Sequence, residues 1–421
     1  MTFKERQVSR TGLFDIYMYE KLERTEVFRD PIYGYVKVDY KVIHDLIDTK
    51  EFQRLRRIHQ LSGVLEVFPT AEHSRFTHSL GAYECAREVL EEAEGASELD
   101  EYSQILFLTT ALLHDIGHGP YSHAFESVTS VSHEELGSMI IESPLTDINH
   151  VLIKYKVVPT DITNILRHLG KFPLIELLIS SQVDVDRLDY LVRDAYFTGA
   201  TYGAIDRIRI LRSMIIKNNR VYFRASGVNS LENYIMARYH MYWQVYYHKA
   251  AKGYDLLLET LYRRIFDLYK QGKSIDCDAT DLINVLKDNT NIMSYIMLDD
   301  GYISGLVKQL INSKDKILAD ICQSIESRKL YKSVIVEDDL ELAQKIKEEY
   351  KKYPKYYFYK IVVSQVAYLD SGNNPKLNDI MIMRKGGEPE NLVAYSKIIE
   401  GLIKSGKRKS IRYYYKEPLN V

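Results

Sequence analysis

Cysteine is scarce in this chain. Three residues among 421, Cys85, Cys277 and Cys322, stand far apart. That count and spacing exclude a disulfide framework and a CxxC metal site, and a reducing cytoplasm is the expected compartment. An excess of one charge is also missing. Lys and Arg number 56 against 58 Asp and Glu, for a formal net charge of −2. Bulk electrostatics therefore predict neither a nucleic-acid nor a membrane partner. No apolar run reaches the roughly 20 residues of a membrane-spanning helix. The opening MTFKERQVSR lacks the apolar segment of a signal peptide. Repeats and low-complexity linkers are absent too. Tryptophan occurs once, whereas tyrosine occurs 34 times. Tyrosine can stack on bases and sugars, but codon bias accounts for such enrichment equally well. What remains is an ordinary globular balance, 46% hydrophobic and 27% charged, in a chain long enough for two or three packed units.

Periodicity divides the chain in two. "VFRDPIYGYVKVD" carries Pro31 and Gly34 as a turn, followed by alternation, and predicts a hairpin. From Val42 to about residue 328 the apolar spacing is mainly helical. "VIHDLIDTKEFQRLRRIHQL", "THSLGAYECAREVLEEAE" and "SQILFLTTALLHDIG" all read this way. "NNRVYFRAS" is a short strand candidate. The segment from Asn229 to Gly272 reads as one long helix or two, opened by an Asn/Ser cap. The last 90-odd residues differ. "YKSVIV", "YYFYKIVVSQVAYL", "DIMIMR" and "SIRYYYK" are strand-like, with amphipathic helices between them. The expected fold is mainly α: a helical body with small hairpins over 1–328, and a small packed α+β lobe over 329–421.

The chemistry concentrates in "LLHDIGHGPYSH", residues 112–123. A lone histidine is usually structural. This one, His114, ends an apolar run with Asp115 beside it, and Gly117 bends the chain at once. His78 lies upstream in "SRFTHSLG". A carboxylate-rich "SQVDVDRLDYLVRD" follows the apolar LIELLIS downstream. Two histidines with carboxylates make a mixed N/O donor set that suits Mg, Mn, Fe or Zn. "DVD" offers two candidate carboxylates, Asp184 and Asp186. Arg75 stands three residues before His78, so a helix places both on one face. Asp186, Tyr190 and Asp194 recur every four residues and form one stripe. His118, His123 and His133 supply near-neutral acids close to that set.

Four segments, "SRFTHSLG", "HDIGHGPYSH", "SHEELGS" and "DVDRLDYLVRD", occur in the order and spacing of a known family. They resemble the HD-domain phosphohydrolases, and among them the SAM-and-HD-domain deoxynucleoside triphosphate triphosphohydrolases and their bacterial relatives. The likeness runs from about Val27 to about Lys249, and no SAM domain is expected. It implies hydrolysis of a dNTP to deoxynucleoside and triphosphate with a divalent metal held by His78, His114, Asp115 and Asp186. Asp184 then becomes a supporting carboxylate or a helix N-cap. His123 is implied as the acid, within a network of His118 and His133, and Glu126 sits where the family often has Asp and can orient a histidine. Arg75, Arg187 and Arg238 are implied to hold phosphate, although the family has lysine at the position of Arg187. Tyr190 is implied to stack under the deoxyribose, with Asp194 and Gln60 on the 3′-hydroxyl and Leu61 in the same wall. Tyr246 falls near the base. Tyr242 departs from the histidine of the family, which leaves the base preference open.

The resemblance also implies a homo-oligomer, with a tetramer favoured, gated by nucleotide activators. The guanine-reading positions match Asp48, Gln53 and Arg56, and Arg207 and Arg224 align with phosphate-binding arginines. Ser226 departs from the lysine expected there. Without the resemblance, "DTKEFQRLRR" is an amphipathic helix with a charged outer face. Two other functions compete: an HD-type nucleotidase or phosphodiesterase, and a non-catalytic nucleotide sensor or single-strand binder using "KSGKRKSIRYYYK". The second stretch also reads as an edge strand whose lysines discourage aggregation.

Overall fold

Asp30 opens the fold by making a turn. In the computed structural model, which describes residues 19–129, 131–365, 379–406 and 408–417, its Oδ1 accepts the amides of Ile32 (2.8 Å) and Tyr33 (3.1 Å). Strands Lys21–Asp30 and Gly34–Tyr40 pair antiparallel across that turn. Gly34 takes φ +73°, a conformation that costs glycine least. Val36 and Val38 point inward. The amide of Lys37 donates to Glu84 (2.9 Å) and its carbonyl accepts from Tyr83 (2.9 Å). The hairpin is thereby fastened to the helix Arg75–Glu92.

Three helices form the centre. Arg75–Glu92 packs against Glu101–Leu113 and against Val185–Thr198. Every residue from Ile105 to Leu113 is buried, as expected of a helix apolar on all sides. Asp100 caps it by accepting the Ser103 amide at 2.7 Å, a contact worth about 1 kcal/mol. The helical stretch after Val42 is broken into Lys41–Ile47, Lys50–Arg54 and a 3₁₀ turn Leu55–Arg57. Thr49 restarts it by capping Phe52. The long segment after residue 228 is two helices, Val228–Met241 and Lys249–Lys270, joined by a π-helical turn Tyr242–Tyr246. The first begins at Val228, one residue before the expected Asn/Ser cap, and makes no side-chain cap bond.

The boundary expected at 328/329 is not a clean one. Lys332–Ile335, Arg408–Tyr415 and Phe358–Gln365 do form their own antiparallel sheet, in that order across the sheet. Its small core includes Val334, Ile346, Tyr350, Tyr357 and Tyr413. Arg408–Tyr415 is therefore the central strand, not the edge strand that its lysines suggested. Met381–Met383 instead pairs in parallel with Arg220–Arg224 of the body. Together with Met214–Lys217 and Pro389–Asn391 these make a four-stranded sheet. Ile380, Ile382, Leu392 and Ile399 join the main core. Met214–Lys217 was not expected. It returns through Asn218 and Asn219 at φ +53° and +56°, the left-handed pair that tight hairpins use. No described helix is long and apolar enough to cross a membrane, and all three cysteines are free.

Candidate metal centre and active site

The three central helices each deliver donors to one point. His78 comes from the first turn of Arg75–Glu92. His114 caps the C-terminus of Glu101–Leu113, with Asp115 next to it. Asp186 lies in the first turn of Val185–Thr198. His78 Nε2 stands 3.1 Å from Asp186 Oδ1, 3.3 Å from His114 Nε2 and 3.6 Å from Asp115 Oδ2. His114 Nε2 stands 3.5 Å from Asp186 Oδ1 and 3.4 Å from Asp115 Oδ1. Donor atoms of His78, His114 and Asp186 all lie within 4.8 Å of one another.

These residues fit a divalent metal. His114 Nδ1 faces the carbonyl of Ala111 (2.8 Å), and His78 Nδ1 faces Asp189 Oδ2 (2.8 Å). Acceptors at both Nδ1 atoms place the ring hydrogens there, so both Nε2 atoms present lone pairs. Two imidazole nitrogens and two carboxylates then converge on one point, a donor set that a cation satisfies. Burial opposes charge on His78. Even so, the bonds to Asp186 and Asp189 and the charge of Asp115 push its pKa up to about 10. The same negative field attracts a metal ion. Asp184 is engaged elsewhere. It caps the helix, accepting the amides of Arg187 (2.8 Å) and Ser181 (2.6 Å), and pairs with the Arg187 guanidinium.

A second group of histidines adjoins the first through Asp115. His118 Nε2 lies 3.4 Å from Asp115 Oδ1. The His118 ring stacks on His133 at 3.9 Å and 16°, and His123 meets it edge-on at 5.4 Å. Glu126 Oε2 lies 3.0 Å from His123 Nδ1, and Glu126 Oε1 lies 3.4 Å from His133 Nδ1. Burial, then the charges of Arg75 and His133, hold the His118 pKa well below its ordinary value, with Asp115 only partly offsetting them. For His133 burial is outweighed by the Glu126 bond and nearby acids, and its pKa rises. The His123 side chain is 72% exposed, so it can exchange protons with solvent.

The loop that carries these groups is held tightly. A Cβ on Gly117 would meet the carbonyl oxygen of His133 at 2.0 Å. Arg54, fully buried, donates to the His118 carbonyl (2.9 Å). Tyr295 donates to the Gly117 carbonyl (2.6 Å), and Asp300 accepts the Tyr121 amide (2.6 Å). Tyr121 and Ser122 both sit at φ +53°, a strained conformation of the kind that gathers at functional sites.

Around the metal donors lie the groups expected to hold a nucleotide. Arg75 is buried, paired with Asp115, and donates to Ser122 Oγ (2.9 Å). Its guanidinium also donates to the Gln60 carbonyl (3.4 Å). Arg187, paired with Asp184, and Arg238 share one feature. Each keeps a buried Nε without a hydrogen-bond partner among the described residues, although Arg238 Nη1 donates to Gln182 (3.2 Å). Tyr190 stands 6.4 Å from the His78 ring and 6.2 Å from the Tyr246 ring. Tyr242 meets Tyr246 edge-on at 5.2 Å and lies under Arg238 at 5.9 Å. Asp194 takes the Tyr246 hydroxyl at 2.7 Å. Gln60 is 8% exposed, and its Oε1 has no partner among the described residues. Leu61 is half-buried against the core.

The positions matched to a regulatory site are engaged within the chain. Gln53 accepts from Arg56 Nε at 2.8 Å, and Arg56 lies over the Phe76 ring at 3.5 Å. Asp48, at the end of Lys41–Ile47, is exposed. Arg207 is buried against Glu88 and Tyr33, and Arg224 pairs with Glu94. Sequence reasoning did not find Asp189, Arg193, Arg54 or His73. Asp189 and Arg193 carry a faint signal, an acid–base pair at i, i+4. His73 carries none.

Residues 75–194 match the HD domain, and residues 205–299 match the HD associated region. The uncharacterized protein YwfO of Bacillus subtilis is 36% identical over 413 residues, spanning 96% of this chain and 95% of YwfO. The chain therefore belongs to the HD-domain family. A Dictyostelium discoideum protein named deoxynucleoside triphosphate triphosphohydrolase SAMHD1 homolog is 28% identical, over 75% of this chain and 61% of that protein. The crystal structure of a phosphohydrolase from Bacteroides thetaiotaomicron aligns with a TM-score of 0.80 at 27% identity, covering 94% of this chain and all of the other. The fold is that of an HD-domain phosphohydrolase.

Proposed function

We propose that this chain is a metal-dependent deoxynucleoside triphosphate triphosphohydrolase that converts dNTP and water to deoxynucleoside and triphosphate. The observation that carries this reading is the pair of buried, unpartnered Nε–H groups on Arg187 and Arg238 beside the metal donors. Unpaired buried donors are costly and call for a ligand. Two guanidiniums suit a polyphosphate better than a monophosphate.

His78, His114, Asp115 and Asp186 would hold the divalent metal, which supplies Lewis-acid polarisation of the phosphoryl group and activation of water. Arg187 and Arg238 bind the phosphates, and Tyr190 forms the floor under the sugar. Water oxygen bonds to the α-phosphorus and the bond to the 5′-oxygen breaks. His123, aligned by Glu126, gives its proton to that leaving oxygen and regains one from solvent. Asp194 and Gln60 accept and donate at the 3′-hydroxyl. The family resemblance extends the reading to a homo-oligomer, a tetramer, with an activating nucleotide near Asp48, Gln53 and Arg56.

Product analysis tests the chemistry. All four dNTPs and rNTPs are incubated with Mg, Mn or Fe, with and without GTP and dNTP activators. Intact triphosphate and deoxynucleoside are expected from dNTPs. Pyrophosphate or orthophosphate as the product points to a different HD-type reaction. No turnover under any condition rejects the enzyme.

A further inference from the structure

His73 sits in the short extended stretch before the metal helix, two residues ahead of Arg75. Its side chain is 1% exposed. Its Nε2 lies 2.8 Å from Asp194 Oδ1. The other oxygen of the same carboxylate takes the Tyr246 hydroxyl at 2.7 Å. An ionised carboxylate only accepts, so the His73 hydrogen is on Nε2. The backbone of His73 reaches the opposite way: its carbonyl accepts the amide of Gln60 at 2.9 Å. One residue thus touches both Asp194, through its ring, and Gln60, through its main chain.

The ring is fixed from behind. It stacks on Phe197 at 4.6 Å and 14°, and Thr70 donates to the Phe197 carbonyl at 2.5 Å. His73 Nδ1 is buried with no partner among the described residues. A buried polar atom left unpaired needs an explanation. Here the ring is oriented for its Asp194 bond at the expense of its own second nitrogen. Gln60 Oε1 is likewise buried and unpaired, and Asp194 keeps lone pairs beyond the two bonds that hold it.

We infer that His73 is the positioning residue for recognition of the sugar 3′-hydroxyl, holding Asp194 and Gln60 in register so that both meet one hydroxyl. This rests on the proposed dNTP reading. His73 does not touch substrate. It sets the rotamer of Asp194 and the main-chain position of Gln60, and Tyr246 closes the opposite side of the carboxylate.

The test compares kcat/KM for a dNTP and its 2′,3′-dideoxy analogue, in the parent and in His73→Phe and His73→Gln. Phe preserves the stack on Phe197 and the main-chain bond to Gln60 but deletes the donor to Asp194; Gln restores a donor. The parent is expected to prefer the dNTP by about tenfold or more, the range of a hydrogen bond to a charged acceptor. His73→Phe should bring that ratio close to one, and His73→Gln should recover part of it. A structural role alone would lower both activities and leave the ratio intact. A parent that discriminates while His73→Phe keeps its ratio overturns the inference and spares the dNTP reading. A parent that treats both sugars alike overturns the inference and the hydroxyl reading together. If His73→Phe does not fold, Phe197→Leu loosens the same ring; an unchanged ratio in that variant overturns the inference.

Discussion

Asp189 Oδ2 lies 2.8 Å from His78 Nδ1, on the side of the ring away from the metal donors. Both side chains are fully buried. Asp189 is held in turn by Arg193, which donates to both its oxygens at 2.9 Å and reaches Asp30 at 2.8 Å. A chain of charge therefore runs from the hairpin turn through Arg193 and Asp189 to a metal-directed imidazole. Gly81 makes room for it: a Cβ there would meet Asp189 Oδ1 at 2.0 Å.

Asp189→Asn should weaken metal binding by about 10- to 100-fold, the usual effect of neutralising an outer carboxylate behind a ligand histidine. The variant should also melt earlier, because Arg193 loses one of its two buried partners. Metal titration of apo-protein at a temperature well below its melting point separates the two effects. Unchanged affinity in a folded variant rejects the outer role of Asp189.

Gly117→Ala addresses the loop. The added methyl meets the His133 carbonyl oxygen at 2.0 Å and the Gly137 amide nitrogen at 2.2 Å, and backbone atoms cannot turn aside as a flexible side chain would. Overpacking of this kind costs about 1–3 kcal/mol, and the displacement falls on the His118–His133 stack. A lower Tm and a loss of turnover larger than the loss of metal affinity are expected. A variant with parental Tm and turnover would show that the loop tolerates the shift.

How much of this was legible without coordinates follows from distance along the chain. His114, Asp115 and Gly117 are neighbours, so their clustering is visible in one line of sequence. Asp186, Tyr190 and Asp194 obey the helical period. Asp184 and Asp186 could be told apart only by a family pattern, because either carboxylate can cap or ligate. The supports were hidden. His73 and Asp194 stand 121 positions apart, and His78 and Asp189 stand 111 apart; no local pattern joins such pairs. The central place of Arg408–Tyr415 was hidden for a related reason. Its lysines suggested an edge, while pairing on both sides depends on strands more than 40 residues upstream.

His59 makes stability depend on pH. Its Nδ1 lies 2.6 Å from Asp300 Oδ2, and its amide donates to the same oxygen at 2.9 Å. The bond to Asp300 raises the His59 pKa above its ordinary 6.5; burial opposes this, and the charges of Asp300 and Glu72 add to it. The folded chain then holds this proton more tightly than the unfolded chain. The stabilisation is complete below about pH 6.5 and is lost as pH rises through the higher folded value. Tm followed from pH 6 upward should fall more steeply for the parent than for His59→Gln. Parallel curves would show that this pair contributes nothing to the dependence.

Arg56 tests the regulatory part of the proposal. Its guanidinium rests 3.5 Å over the Phe76 ring, and Phe76 follows Arg75 at the start of the helix that carries His78. Phe76 also packs edge-on against Phe52 at 5.2 Å. A nucleotide that draws Arg56 outward would release one face of Phe76 and shift the first turn of the metal helix, a physical route from the outer surface to Arg75 and Asp115. Arg56→Ala should therefore abolish activation by a guanine nucleotide while metal content stays at the parental level. Losing an exposed guanidinium leaves the core intact, so Tm should move little. Equal activation of mutant and parent refutes the site. Loss of metal together with activation would instead make Arg56 a structural support of the catalytic helix.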